Sequence, residues 1–194
     1  MKKNIFHTIT VIVAFSAIGI YFYACSGSSE TIFSGRTANF TTDTRDCELG
    51  TKFFTTVAGT ITKVRVYTNA SEVGYHSVRI WELNPNNPPS IIYKDSSWNI
   101  TLTDEGWKEL TLTTPLPIKA NTDYIVSISS CNKSYAYGYH DFDSPGKHGY
   151  IRTYTGSGVY TYDLGSVPLL AVEYYNTGYY REIVFVPTLP QKNK

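Results

Sequence analysis

The chain has 194 residues, among them 17 tyrosines, 14 glycines, 9 prolines and a single methionine, which describes a β-rich chain with many turns and excludes a helical bundle. With 42% hydrophobic and 15% aromatic residues it can bury enough apolar surface to offset its ordering entropy, so disorder is excluded as well. Seventeen basic against 16 acidic residues leave no electrostatic surplus for a nucleic-acid partner, and the length allows one domain with at most a small addition.

The N-terminus reads as an address. Lys2 and Lys3 form a short positive region, and from Ile5 to Ala24 there is no charged side chain, the pattern of a secretory signal over residues 1–24. Tyr23-Ala24-Cys25 sets a small residue before a cysteine. This resembles a bacterial lipoprotein signal and makes Cys25 the candidate lipidated first residue of the mature chain. Phe22 and Tyr23 depart from the smaller residues usual at that site, so an uncleaved membrane anchor and ordinary cleavage stay open beside it. All three readings place the protein outside the cytoplasm, held to a bacterial membrane at the cell surface or in the periplasm. Loss of residues 1–24 leaves 15 basic and 16 acidic residues, a near-neutral module.

Residues 25–37, rich in Ser, Gly and Thr, read as the lipidated cysteine and a flexible tether. A single domain over 38–188 and a short tail over 189–194 follow. Cys47 and Cys131 are a disulfide candidate in an oxidising compartment, against the alternative of two small buried apolar groups. No Cys/His cluster with zinc spacing exists.

The domain itself reads as strands in series. Thr60 to Tyr67 and His76 to Trp81 are the first two, and Asn84-Pro85-Asn86-Asn87-Pro88-Pro89 is expected to break the chain. Ile91 to Lys94, Trp98 to Leu102 and Trp107 to Leu112 are further strands, and Pro115 and Pro117 mark an edge or a corner. Tyr124 to Ser129 alternates most clearly, with Tyr124, Val126 and Ile128 on one face and Ile125, Ser127 and Ser129 on the other; Ile183 to Val186 closes the domain. Trp81, Trp107 and Tyr124 are expected in the core, and His76 as a framework residue. Strands without intervening helices predict an all-β fold, an antiparallel two-sheet β-sandwich of jelly-roll-like type.

Several motifs recur in a familiar order: Cys47-Glu48-Leu49-Gly50-Thr51-Lys52-Phe53, Ala58 to Tyr67, Gly74-Tyr75-His76 with Ile80-Trp81, Gly106-Trp107, Thr114-Pro115-Leu116, Ala120 to Tyr124, Gly158-Val159-Tyr160 and Tyr179 to Phe185. Over about residues 45–186 the chain resembles the bacterial surface family called domain of unknown function four-zero-eight-two. Tyr180 and Glu182 stand where the family usually has Trp and Asp, and the loop from Asn84 to Ser90 is longer. The resemblance implies a β-sandwich displayed on cell surfaces, often beside immunoglobulin-like or carbohydrate-active domains, and supplies no catalytic residues.

The chemistry-bearing residues are sparse. His140-Asp141-Phe142-Asp143-Ser144-Pro145-Gly146-Lys147-His148 gathers two imidazoles, two carboxylates and a hydroxyl in one loop. A catalytic triad is a geometry that such spacing does not supply, so the segment reads first as a hydrogen-bonded turn; Asp141 and Asp143 are also the candidate ligands of a structural calcium, the one cofactor considered. No GxSxG, HExxH or P-loop motif is present. Glu48, Glu82, Glu109, Asp123 and Glu173 are acids from which a glycosidase pair would be drawn, but any acid-bearing chain offers pairs. Four Asn-x-Ser/Thr sequons, at Asn39, Asn69, Asn99 and Asn132, are chance matches in a bacterial lipoprotein.

Tyrosine is the informative residue, because 11 of the 17 fall in the last 60 positions. Tyr135, Tyr137 and Tyr139 share one face of a strand, opposite Ala136 and Gly138, and Tyr160 and Tyr162 repeat the arrangement. Small residues opposite the stripe favour its being the open face. Together with Tyr154 and Arg152 these rings form a candidate ligand platform: phenol faces stack on the CH faces of sugars while their hydroxyls meet the polar edges. A cross-strand aromatic ladder is the structural alternative. The expectation is a non-catalytic, surface-tethered module that binds a neutral glycan, with a structural or adhesion module contacting another protein as the second reading and an extracytoplasmic hydrolase as the third.

Overall fold

The computed structural model describes residues 25–130, 132–171 and 175–189. The signal assigned to 1–24 and the tail beyond 189 lie outside them. Among the described residues there are 14 strands and no helix. They are β1 (Cys25–Ser26), β2 (Asn39–Thr42), β3 (Glu48–Thr55), β4 (Gly59–Thr68), β5 (Gly74–Asn84), β6 (Asn87–Ile100), β7 (Gly106–Ile118), β8 (Asp123–Ser129), β9 (Ser134–Tyr137), β10 (Lys147–His148), β11 (Ile151–Arg152), β12 (Gly158–Thr161), β13 (Leu170–Ala171) and β14 (Arg181–Leu189).

One sheet has the order β1-β14-β4-β7 and the second β10-β11-β3-β8-β5-β6, with β12 attached to β3, β13 attached to β12, and a separate β2-β9 pair. All pairings are antiparallel. This is the expected two-sheet sandwich. Its core takes Ile61, Val64, Val66, Ile183 and Phe185 from the first sheet and Phe53, Val78, Ile80, Tyr124, Val126 and Ile128 from the second. Ile61 and Val64 are three residues apart, yet both point inward. The register shift between Ile61 and Lys63 explains it: Thr62 is the extra residue of a β-bulge, which restores the alternation.

Pro115 and Pro117 lie on β7, an edge strand as read. The expected break at 84–89 is narrower: the turn between β5 and β6 is only Pro85-Asn86, and Pro88 and Pro89 belong to β6. Likewise the two strands expected at 91–94 and 98–102 are one strand that follows β5 through three register shifts. The prolines are tolerated because β6 is an edge and its register against β5 shifts beside them, between Glu82 and Asn84; a further shift between His76 and Val78 carries the strand through 95–98.

The expected tether is a larger correction. From Cys25 to Arg36 the chain is woven into the sandwich, with Cys25 opposite Leu189 and Glu30 bridged to Phe185. Ile32 and Phe33 are fully buried, and their amides donate to Glu182 Oε2 at 2.6 and 2.8 Å. Two adjacent apolar side chains with a buried carboxylate to receive their backbone are core, whatever the composition around them.

Tyr124 lies in the core as expected, whereas Trp107 is half-buried under the Arg65 guanidinium. Trp81 is buried on the outer face of the second sheet, with Ile125 and Val159. That face of β8 is also covered: Ser127 Oγ donates to Glu48 Oε1 at 2.6 Å and accepts from Trp81 Nε1 at 2.9 Å, and Arg79 pairs with Glu48 at 2.7 Å. His76 is a buried framework residue, its Nδ1 2.7 Å from the Ser129 carbonyl oxygen.

Candidate functional site

At the end of the sandwich where β3 begins and β8 ends, β9 pairs with β2, setting Tyr135 opposite Thr41 and Tyr137 opposite Asn39. Alternation along β9 turns Ala136 into the core and leaves Tyr135 and Tyr137 partly exposed, with Tyr139 beyond them 53% exposed. Just past β9, Gly138 and Gly178 exchange reciprocal backbone hydrogen bonds of 2.9 and 2.8 Å. A side chain at either would force its neighbours to move: a Cβ on Gly138 would sit 2.3 Å from Asp141 Oδ2, and one on Gly178 2.8 Å from the Phe33 ring. His140 N to Tyr175 O at 2.7 Å and Phe142 N to Asn176 O at 3.0 Å extend the clasp.

The clasp brings a second segment, residues 175–179, alongside β9. Together they line a groove of about 270 Å³ with five tyrosines, 135, 137, 139, 175 and 179, and with Thr41 and Thr177. Tyr180 then adopts a φ of 53°, a left-handed conformation costly for a bulky residue. It is held by stacking on Phe33 at 4.6 Å and by donating to the Thr37 carbonyl at 2.8 Å. That kink lets Tyr179 face the groove while its neighbour Tyr180 fills the core. His140 and Asn176, also at positive φ, belong to the same clasp.

The groove is uncharged. Burial pushes the Tyr135 and Tyr179 phenols far above their usual range, and a hydrogen bond with Tyr137 raises that of Tyr139. These hydroxyls stay protonated and both donate and accept. Beyond Tyr179, which is itself buried, ring contacts continue to Tyr160 and Tyr162, which flank the small cluster of Cys47, Leu49 and Tyr179. Tyr162 donates to Asp43 Oδ2 at 2.8 Å, a bond that with partial burial lifts its phenol to about 12.

The expected platform is thus five-sevenths assembled. Tyr135, Tyr137, Tyr139, Tyr160 and Tyr162 are brought together, but Tyr154 and Arg152 are not. β12 pairs with Glu48–Thr51 of β3, whereas Arg152 on β11 pairs with Phe54, at the other end of the same strand. Tyr154 packs on Phe54 and donates to Asp123 at 2.6 Å, and Arg152 donates to the Gly149 and Ile151 carbonyls. Tyr175, Tyr179, Thr41 and Thr177 were absent from the expected set. The tyrosine density of the last third pointed to the first two, but period-two reasoning does not act on a non-strand segment.

The acids serve elsewhere. Asp141 is ion-paired with Arg36 at 2.5 Å, and Asp143 meets His140 at 3.1 Å and Asn176 at 3.0 Å. The two candidate calcium ligands therefore face different partners, and among the described residues no group of three or more His, Cys, Asp or Glu side chains converges on a metal position. A larger cavity, about 450 Å³, lies at the opposite end of the sandwich and contains Glu82 and Asp123. Each is already paired with a lysine, Lys119 at 3.1 Å and Lys52 at 3.0 Å, so size alone does not make it the stronger site. Glu48 is buried with Arg79, Glu109 is bonded to Lys63, and Glu173 lies outside the described residues.

Cys47 is a buried free thiol, its Sγ 3.5 Å from Ser130 Oγ, and burial raises its pKa. Cys131, the other half of the expected bridge, lies outside the described residues. The same is true of the side chain of Cys25, the candidate lipidation site.

No curated protein matches the chain. A family model described as "Domain of unknown function (DUF4082)" matches residues 34–181, three quarters of the sequence and the whole of the groove, and the chain belongs to that family.

Proposed function

We propose that this protein is a non-catalytic, extracytoplasmic module, tethered to a bacterial membrane through a lipid on Cys25, that binds a neutral glycan in the tyrosine groove. The observation that carries the reading is the groove's lining: five phenols and two threonine hydroxyls, with no carboxylate, imidazole or cation among them. Sugar rings present apolar CH faces and hydroxyl edges, and phenols offer the matching pair, a π face and a hydroxyl that donates and accepts. An uncharged lining suits an uncharged ligand, because no buried charge is left to be compensated. The same lining offers no nucleophile with a partnered base, so the role supported is binding and not bond cleavage.

The test is affinity electrophoresis and titration calorimetry against a panel of neutral polysaccharides: mannan, xylan, mixed-linkage β-glucan and α-glucan. Binding to at least one is expected, and Tyr137→Ala combined with Tyr139→Ala should weaken it by about 2 kcal/mol, roughly 30-fold, as for central aromatic anchors. No binding across the panel, or binding untouched by the double substitution, would sink the proposal. Contact with another protein is the second reading. It is favoured by Leu164, Leu169 and Leu170, each more than half exposed in the stretch around β13.

A further inference from the structure

Within the glycan reading, on which this inference rests, the arrangement of the rings restricts the form of the ligand. The ring contacts extend beyond the groove. Tyr175 meets Tyr139 at 4.8 Å and Tyr139 meets Tyr137 at 4.8 Å. On the other side Tyr135 meets Tyr179 at 5.9 Å, and contacts of 6.3 and 5.7 Å carry the row outside the groove to Tyr160 and Tyr162. There the Arg45 guanidinium lies over one face of the Tyr162 ring, 3.8 Å from its centroid, and ends the row. The groove alone, at about 270 Å³, falls just below the roughly 300–1,000 Å³ typical of sites that engulf a small ligand.

The rings are also mutually inclined. Successive contacts have interplanar angles of 44°, 65°, 72°, 63° and 78°. No two of these contacting rings share a plane, so a flat ordered polysaccharide surface could not rest on both rings of any contacting pair. A single chain in solution rotates from one sugar to the next and can offer successive rings differently oriented faces. Recognition of a chain end needs a convergent set of polar groups to bind the terminal hydroxyls. The lining supplies only phenols and two threonine hydroxyls.

We infer that the ligand is an internal stretch of one soluble, neutral polysaccharide chain, lying across the groove over Tyr175, Tyr139, Tyr137 and Tyr135 and continuing past the buried Tyr179 over Tyr160 and Tyr162. Its signature is length. Oligosaccharides cut from whichever panel polymer binds are titrated against the unaltered protein, from disaccharide to octasaccharide. Affinity is expected to climb about tenfold or more before levelling, as added units reach further rings. Tyr160→Ala with Tyr162→Ala is expected to weaken polymer and octasaccharide binding while leaving the disaccharide unchanged, with thermal unfolding as the check on folding. If that variant does not fold, the length series on the unaltered protein decides. Full affinity already at the disaccharide, or pelleting with crystalline cellulose or chitin as strong as binding to the soluble polymer, overturns the inference and leaves glycan binding standing. Absence of binding to every polysaccharide overturns both.

Discussion

Arg181 connects the groove to the interior. It is fully buried, its Nη1 donates to the Tyr179 carbonyl at 2.8 Å, and its Nη2 is bonded to Glu72, itself fully buried. An arginine is costly to bury and costlier to leave without its partner, and here it fixes the backbone of a groove residue. Two titrating neighbours respond to pH in opposite senses. Burial pushes the Glu72 carboxyl up to about 8 against the pull of Arg181, so its contribution to stability is complete below the ordinary 4.5 and fades as pH rises toward 8. Burial, with the Arg181 charge, pushes the His76 imidazole down to about 4, so its contribution is complete above 6.5 and is lost as pH falls toward 4. Replacing His76 removes only the second of these. His76→Gln should therefore be less stable than the unaltered protein at pH 7, and the gap should close by about 3 kcal/mol by pH 4, from the shift of roughly 2.5 pH units. Urea unfolding at the two pH values measures it; a gap that does not depend on pH would exclude a neutral buried imidazole.

At the scale of elements, the groove wall at 175–179 stands against β12 through a glycine. A Cβ on Gly158 would lie 1.6 Å from the Thr177 carbonyl oxygen, a contact with backbone that no rotamer relieves. Gly158→Ala should cost about 1–3 kcal/mol as overpacking and displace the wall. The urea midpoint should fall with an unchanged slope, and polysaccharide binding should weaken in parallel; an unmoved midpoint would show that the wall yields freely. Much of this layer could be read from the sequence and some could not. The alternation of β8 named its inward face correctly, but period two is silent on what covers the outer face, and Val159 and Val167 pack there from more than 30 positions away. Ile32-Phe33 was hidden in a Ser/Gly-rich stretch because two apolar residues make no period and their receiver, Glu182, is 150 and 149 positions distant. Tyr154 and Arg152 were grouped with the platform by proximity in sequence. Pairing with opposite ends of β3 separates them.

At the scale of the molecule, the two ends of β14 have different duties. Leu189 is paired with Cys25, while Arg181 begins the strand next to Tyr179. Eight steps of extended chain put about 26 Å between those ends. Gly27 and Glu30 bond back to Pro187 and Phe185, so the segment after Cys25 follows β14 and leaves no slack. A lipid on Cys25, as proposed, would then hold the sandwich close to the bilayer at the pole of Gly59, Ile118 and the polar cavity around Asn121, with the tyrosine groove at the pole facing outward. A long internal stretch of polysaccharide could cross such a groove without meeting the membrane. In vesicles carrying the acylated protein and a quencher on the lipid headgroup, a fluorophore at position 121 should be strongly quenched and one at position 140 should not. Polysaccharide affinity should be the same for the vesicle-bound protein and for soluble Cys25→Ser. Equal quenching at both positions, or an affinity lost on anchoring, would show that the protein lies on its side and that the groove is turned toward the lipid.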